Sequence, residues 1–189
     1  MFHSVRRQIS GTSPKIKEPT VGTIAYNEMD TNADTCCLGK NFIPIGYTYR
    51  TADVYPYDTS IAPVTNVPIV SGATAWKDPY SLDTYILIFH ESLYYGNKLD
   101  HSLINPNQVR HAGVPLWDNP YDSHHDLSIE TKLATIPLNT NGTKITFETY
   151  VPIDHEFNTC PRIHMTERTP WQPSEVRLGA VYAFRLTQI

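Results

Sequence analysis

The chain has 189 residues, of which 40% are apolar and 18% charged, with a formal charge of −4. That length suits one domain with a real core, or one domain plus tails. The small negative charge gives no electrostatic case for binding nucleic acid or a membrane surface, and the longest apolar run, Tyr85 to Phe89, is far too short to span a bilayer.

Fifteen prolines and twelve tyrosines, with abundant Thr and Asn, favour strands and turns over helices. Residues 1–19 carry Arg6, Arg7, Lys15 and Lys17 and no apolar h-region, so they read as a flexible basic arm, not a secretory signal. Residues 21–30 predict a strand running into an Asp-rich loop, "DTNADT". Residues 36–58 predict further strand, broken at Gly39, Gly46 and Pro56. A turn near 63–66 precedes a β-branched run at 67–70. Residues 83–95, "DTYILIFHESLYY", predict the main core strand, because the first half is continuously apolar.

Residues 103–117 hold the one helix signal. Asn105 suits the cap, Pro106 the first helical position and Gly113 the end. Residues 136–153 predict a hairpin whose two arms flank Asn141-Gly142. The last thirty residues begin Pro-rich and end in an apolar alternation at 180–186. The sum is a mostly-β chain with one short helix.

Three cysteines imply no disulfide framework, and a reducing compartment is expected. Cys36, Cys37, Cys160 and His164 offer one acceptable half of a zinc site, Cys-x3-His, but adjacent cysteines cannot easily aim both sulfurs at one ion. Buried free thiols are the simpler reading. The run from Asp122 to Asp126, with His124 and His125, is His- and Asp-dense, yet its turn-rich setting favours an exposed polar loop. His90-Glu91 opens like a His-Glu-x2-His zinc motif, but Tyr94 stands where the second histidine belongs. A serine or cysteine triad is assembled in space, so the sequence leaves it open; no Gly-x-Ser-x-Gly elbow is present.

Two stretches carry a family resemblance. Asp30-Thr31-Asn32-Ala33-Asp34-Thr35 resembles the Asp-Thr/Ser-Gly-Ala loop of retropepsins, with Asn32 in the place of Gly. Residues 90–116 resemble the segment of copia-type LTR retrotransposon polyproteins that closes the protease and leads toward the integrase. Leu93-Tyr94, Leu103-Ile104-Asn105, Gln108-Val109 and Gly113 stand in its places. The chain also resembles copia-like elements of algae and other protists. They share a loop with a non-Gly third position, then Leu-Ile-Asn-Pro-Asn-Gln, Asp-Asn-Pro and a His pair, here 103–108, 118–120 and His124-His125. The likeness spans about residues 20–178.

The resemblance implies a retropepsin-like closed β-barrel at 20–118, followed at 119–189 by a β-rich extension toward the integrase. It implies an intracellular aspartic endopeptidase of a Gag-Pol polyprotein, working in the cytoplasm within the element's virus-like particle. No metal or cofactor is implied. One loop supplies one carboxylate, so Asp30 of an identical chain would complete the dyad. Thr31 would brace the paired loops. Asp34 would be structural or touch substrate backbone, with Arg110 as its candidate partner; a solvated helix residue is the alternative reading of Arg110. Residues 53–66 are the candidate flap over the peptide substrate. The alternative reading is a catalytically silent copy of the fold, acting as a structural or dimerisation segment. A zinc-stabilised binding module is a third.

Overall fold

The structure is a computed structural model, and it describes residues 19–56 and 60–175. The arm up to residue 18, three residues of the candidate flap and the alternating stretch at 180–186 lie outside the described residues. The elements in chain order are β1 (Ile24–Met29), β2 (Cys37–Gly39), β3 (Ile43–Val54), β4 (Val64–Lys77), β5 (Thr84–Gly96), β6 (Ser102–Ile104), α1 (Pro106–His111), β7 (Leu116–Trp117), β8 (Ser128–Glu130), β9 (Thr135–Pro137), β10 (Asn139–Asn141), β11 (Lys144–Tyr150), α2 (Asp154–Thr159) and β12 (Arg162–His164), then a 3-10 turn at Pro173–Glu175. The fold is mostly β with two short helices.

The main sheet runs β10-β11-β1-β6-β2-β5-β4-β3, and β12 joins it on β5. One further pair, Tyr150 with Ala75, brings β11 back against β4. A separate three-stranded sheet is β7-β8-β9. As its apolar run predicts, β5 is the centre. One edge pairs antiparallel with β4. The other edge carries two parallel partners in succession, β12 at Ile86 to Ile88 and β2 from Leu93 to Gly96. Between them, Glu91 takes a φ of 51°, a left-handed excursion that a non-glycine residue adopts only when its surroundings hold it there. At Gly39, the last residue of β2, a Cβ would stand 2.6 Å from the Leu99 carbonyl oxygen, so the chain passes there only without a side chain.

The helix predicted at 103–117 is α1, capped by Asn105, whose side chain accepts from the N–H groups of Asn107 and Gln108. Three expectations need correction. A second helix, α2, stands at Asp154–Thr159. It begins where the Glu156 carboxylate accepts from the Ile153 N–H at 3.1 Å, and Asp154 and Glu156 suit the positive end of its first turn. Next, the hairpin at 136–153 forms only at its tip, β10 with β11 around Gly142 at φ 63°. Its outer arm pairs elsewhere: Thr135–Pro137 joins β8, while β11 pairs with β1 over five residues.

The third correction concerns the boundary expected at 118. Ile129, Ile136, Leu138, Phe147, Ile163 and Met165 belong to the same buried cluster as Leu38, Phe42, Leu87 and Phe89. Each such side chain contributes about 1.5–3 kcal/mol on burial. Six of them rival the whole net stability of an ordinary domain. The segment after 118 is therefore part of one core, not an appendage. Replacing Phe147, 1% exposed, by alanine is expected to cost about 3–5 kcal/mol and to lower a single cooperative melting transition. A variant melting in two steps, with the 20–118 part unmoved, would contradict the shared core.

Candidate functional site

β1 lies parallel to β6, Met29 opposite Ile104, and the register carries into the loop: the Asp30 N–H donates to the Ile104 carbonyl at 2.9 Å. Asp30 is partly exposed at the strand's exit. Its Oδ1 accepts from the Asn32 N–H at 2.8 Å, an Asx-type closure that fixes the carboxylate relative to its own loop. Asn32 is absent from the positive-φ residues of the described chain, so the position where retropepsins carry Gly needs no left-handed backbone here. Thr31 and Asn32 are the exposed tip.

Behind the tip, the loop is tied to α1 and its flank. Asn105 Nδ2 donates to the Ala33 carbonyl at 2.7 Å, and the Cys36 N–H donates to Gln108 Oε1 at 2.9 Å. The Asp34 carbonyl accepts from Trp171 Nε1 at 2.8 Å. The Cys36 carbonyl accepts from the Leu93 N–H at 2.8 Å. Ala33 and Asp34 are thus held through their backbone.

Arg110 does not meet Asp34. Its guanidinium pairs with Asp118 at 2.5 Å and reaches the Leu116 carbonyl. The turn at Gly113, with φ 74°, sends the chain back past the end of α1, so Asp118 arrives on the guanidinium first.

Cys36 and Cys37 are buried. Burial pushes Cys36 well above the ordinary thiol range. Burial, then the charges of Asp30 and Asp34, push Cys37 up to about 12. Neither is a thiolate at neutral pH, so neither is a nucleophile or a ready metal ligand. Cys36, Cys37 and Cys160 also lie in or against three different apolar clusters. Among the described residues no group of three or more His, Cys, Asp or Glu side chains converges on a metal-sized space. His124 and His125 lie on an exposed loop. His125 stacks on Trp117 and bonds Asp122, whose carboxyl is held below its usual range, first by the His124 N–H.

Some partnerships were not legible in the sequence. Ser71 Oγ meets His90 Nδ1 at 2.8 Å, and His90 Nε2 meets His164 Nδ1 at 2.9 Å, a polar chain across β4, β5 and β12. Buried Glu91 pairs with Arg50 through one oxygen and accepts from the Trp171 N–H through the other, at 3.2 Å. Trp171 had no signal at all; a lone tryptophan in a Pro-rich run carries no periodicity.

The candidate flap, residues 53–66, joins β3 to β4 as the end of a long antiparallel hairpin whose outermost described pair is Val54 with Val64. Ala52, Val54, Val67 and Ile69 of this hairpin pack with Cys37 and Leu103, so the hairpin rests on β2, the strand that follows the Asp loop, and on β6. With this geometry in hand, comparison with known proteins adds nothing: no protein-family model, no curated protein and no solved structure matches the chain.

His90 gives a pH prediction. Burial, then His164 and Arg168, lower its pKa from 6.5 to about 4. The unfolded chain therefore binds more protons than the native one between those values, so stability is full above pH 6.5 and is lost as pH falls toward 4. Discounted for the solvent that reaches the imidazole, the loss is about 1–2 kcal/mol, roughly 3–6 °C in Tm. Melting curves from pH 7 to 4 should show it, and His90→Gln should flatten the fall. An equal fall in the variant would assign the acid sensitivity elsewhere.

Proposed function

We propose that the chain is a homodimeric aspartic endopeptidase of retropepsin type, the protease region of a copia-type retrotransposon polyprotein. The reading rests on one observation: Asp30 stands at the exit of β1, its carboxylate closed on the Asn32 N–H, its loop tied from behind by Asn105 and Gln108, with the β3–β4 hairpin packed on the strand that follows it. A strand, a short Asp loop, a neighbouring hairpin and a buttressing helix are the parts this chemistry needs. The return of β11 to β4 through Tyr150 and Ala75 is read as the closure of the barrel.

The mechanism follows from charge. Two Asp30 carboxylates, one from each subunit, come too close for both to ionise, so one keeps its proton. The ionised member takes a proton from a water held between them. That water attacks the peptide carbonyl, and the protonated member supports the developing oxyanion. Thr31, exposed at the tip beside Asp30, would brace one loop against the other. The hairpin would close over the substrate and exclude water.

The second reading, a catalytically silent dimerisation segment, draws on Asn32. Its side chain stands in the exposed tip, where two loops would meet and where glycine would leave more room.

The deciding experiment is cleavage of a polyprotein segment by the chain, with and without Asp30→Asn, from pH 4 to 7. Acid-favoured cleavage that falls on dilution and that Asp30→Asn reduces at least a thousandfold, on the order expected for loss of a general base, is the expected result. A folded dimer that does not cleave would put the silent reading first.

A further inference from the structure

The tie from Trp171 to the Asp loop comes from far away in the chain, 137 residues from its acceptor. Nothing about a short loop between β1 and β2 demands that distant partner, and the way it is delivered is elaborate. After β12, the Met165 N–H donates to the Ile88 carbonyl at 2.8 Å. Thr166 Oγ1 accepts from the His90 N–H at 2.6 Å and donates to the His90 carbonyl at 2.9 Å. The chain then crosses to Trp171, whose N–H reaches the Glu91 carboxylate and whose ring packs edge-on against His111 at 5.4 Å. Glu91 is itself held by Arg50 of β3. Trp171 is 5% exposed.

We propose that Trp171 is a positioning residue for the 30–36 loop: its indole N–H, anchored through Glu91 and Arg50, fixes the peptide at Asp34 and so the orientation of Asp30. This rests on the protease reading for its link to activity, but the tether itself does not. The first loop residue is fixed by the Asp30 N–H on Ile104, and the last by the Cys36 N–H on Gln108. Between them three carbonyls are taken by side chains: Ala33 by Asn105 at the start of α1, Asp34 by Trp171 of the extension and Thr35 by the Cys37 thiol. Arg50 is joined to the loop through Glu91 and then Trp171, which couples β3 to it.

The N–H and the ring are separable. Trp171→Phe keeps an aromatic ring against His111 and deletes the donor; Trp171→Ala deletes both. A positioning role predicts that Trp171→Phe loses kcat as Trp171→Ala does, by roughly ten- to a hundredfold with KM little changed, the scale of small misplacements at a reacting group. It also predicts faster hydrogen exchange at the Asn32 and Cys36 amides in Trp171→Phe. A role in packing alone predicts wild-type kcat and wild-type exchange in Trp171→Phe, with only Trp171→Ala impaired, and that result would overturn the proposal. Asp30→Asn is run in parallel on the full chain. If no cleavage depends on Asp30, the protease reading fails by itself, and amide exchange still decides whether Trp171 holds the loop.

Discussion

The side-chain amide of Gln108 ties the Asp loop and α1 to the break in the central strand. Its oxygen accepts the Cys36 N–H, and its nitrogen donates to the carbonyls of His90 and Glu91 at 3.2 Å each. The site explains why the group is needed. On that edge of β5, β12 ends at Ile88 and β2 begins at Leu93. The intervening backbone has no strand to pair with, and Glu91 turns it out of register. Buried carbonyls left unmet there would cost about 1–3 kcal/mol each. Gln108, 2% exposed, fills the gap from α1, with Thr166 helping at His90. The Asp loop, the helix, the break in the central strand and the returning extension are therefore one hydrogen-bonded unit.

A second buried network binds the later strands to the earlier ones. Asn27 on β1 donates to the Phe147 carbonyl and to Thr149 Oγ1 on β11. Asn41, in the turn after β2, donates to Asn27 Oδ1 and to the same hydroxyl. Ser102 on β6 donates to Asn41 Oδ1 and accepts from the Gly39 N–H. All four side chains are at most 1% exposed. Such a set is stabilising only when complete, since each unmet member would be stranded in low dielectric. It also fixes register: shifting β11 by one residue against β1 would turn Thr149 away and leave both asparagines without their shared acceptor.

How much of this could be read in advance depends on how local each cause is. The cap at Asn105, the turn at Asn141-Gly142 and the apolar core of β5 are set by neighbouring residues, and all three stand where the sequence puts them. The Asp loop after β1 is local too. The second helix was not legible because six residues, none of them buried, leave no apolar periodicity. The partner of residues 135–137 was not legible because strand pairing is a choice among distant candidates. Arg110 was assigned to Asp34 by family likeness, and the turn at Gly113 brought it a nearer carboxylate instead. Glu91 and Trp171 were invisible for the same reason as each other: their meaning lies in contacts 80 residues apart.

The position of the free surface follows from these ties. Within the loop the backbone is held at Asp30, Asn32, Ala33, Asp34 and Cys36, while Thr31 and Asn32 alone stand exposed. A dyad shared across two chains needs each carboxylate delivered in a set orientation, because shared-proton chemistry tolerates little misplacement. If each loop had to be ordered by the partner, association would carry that entropic cost at every residue ordered. A loop already fixed by its own chain's helix and extension leaves association to bring two tips together and nothing more. On the proposed reading, the extension that completes the core and the tryptophan that reaches the loop serve the same end: they move the cost of ordering the site from the encounter of two subunits into the folding of each.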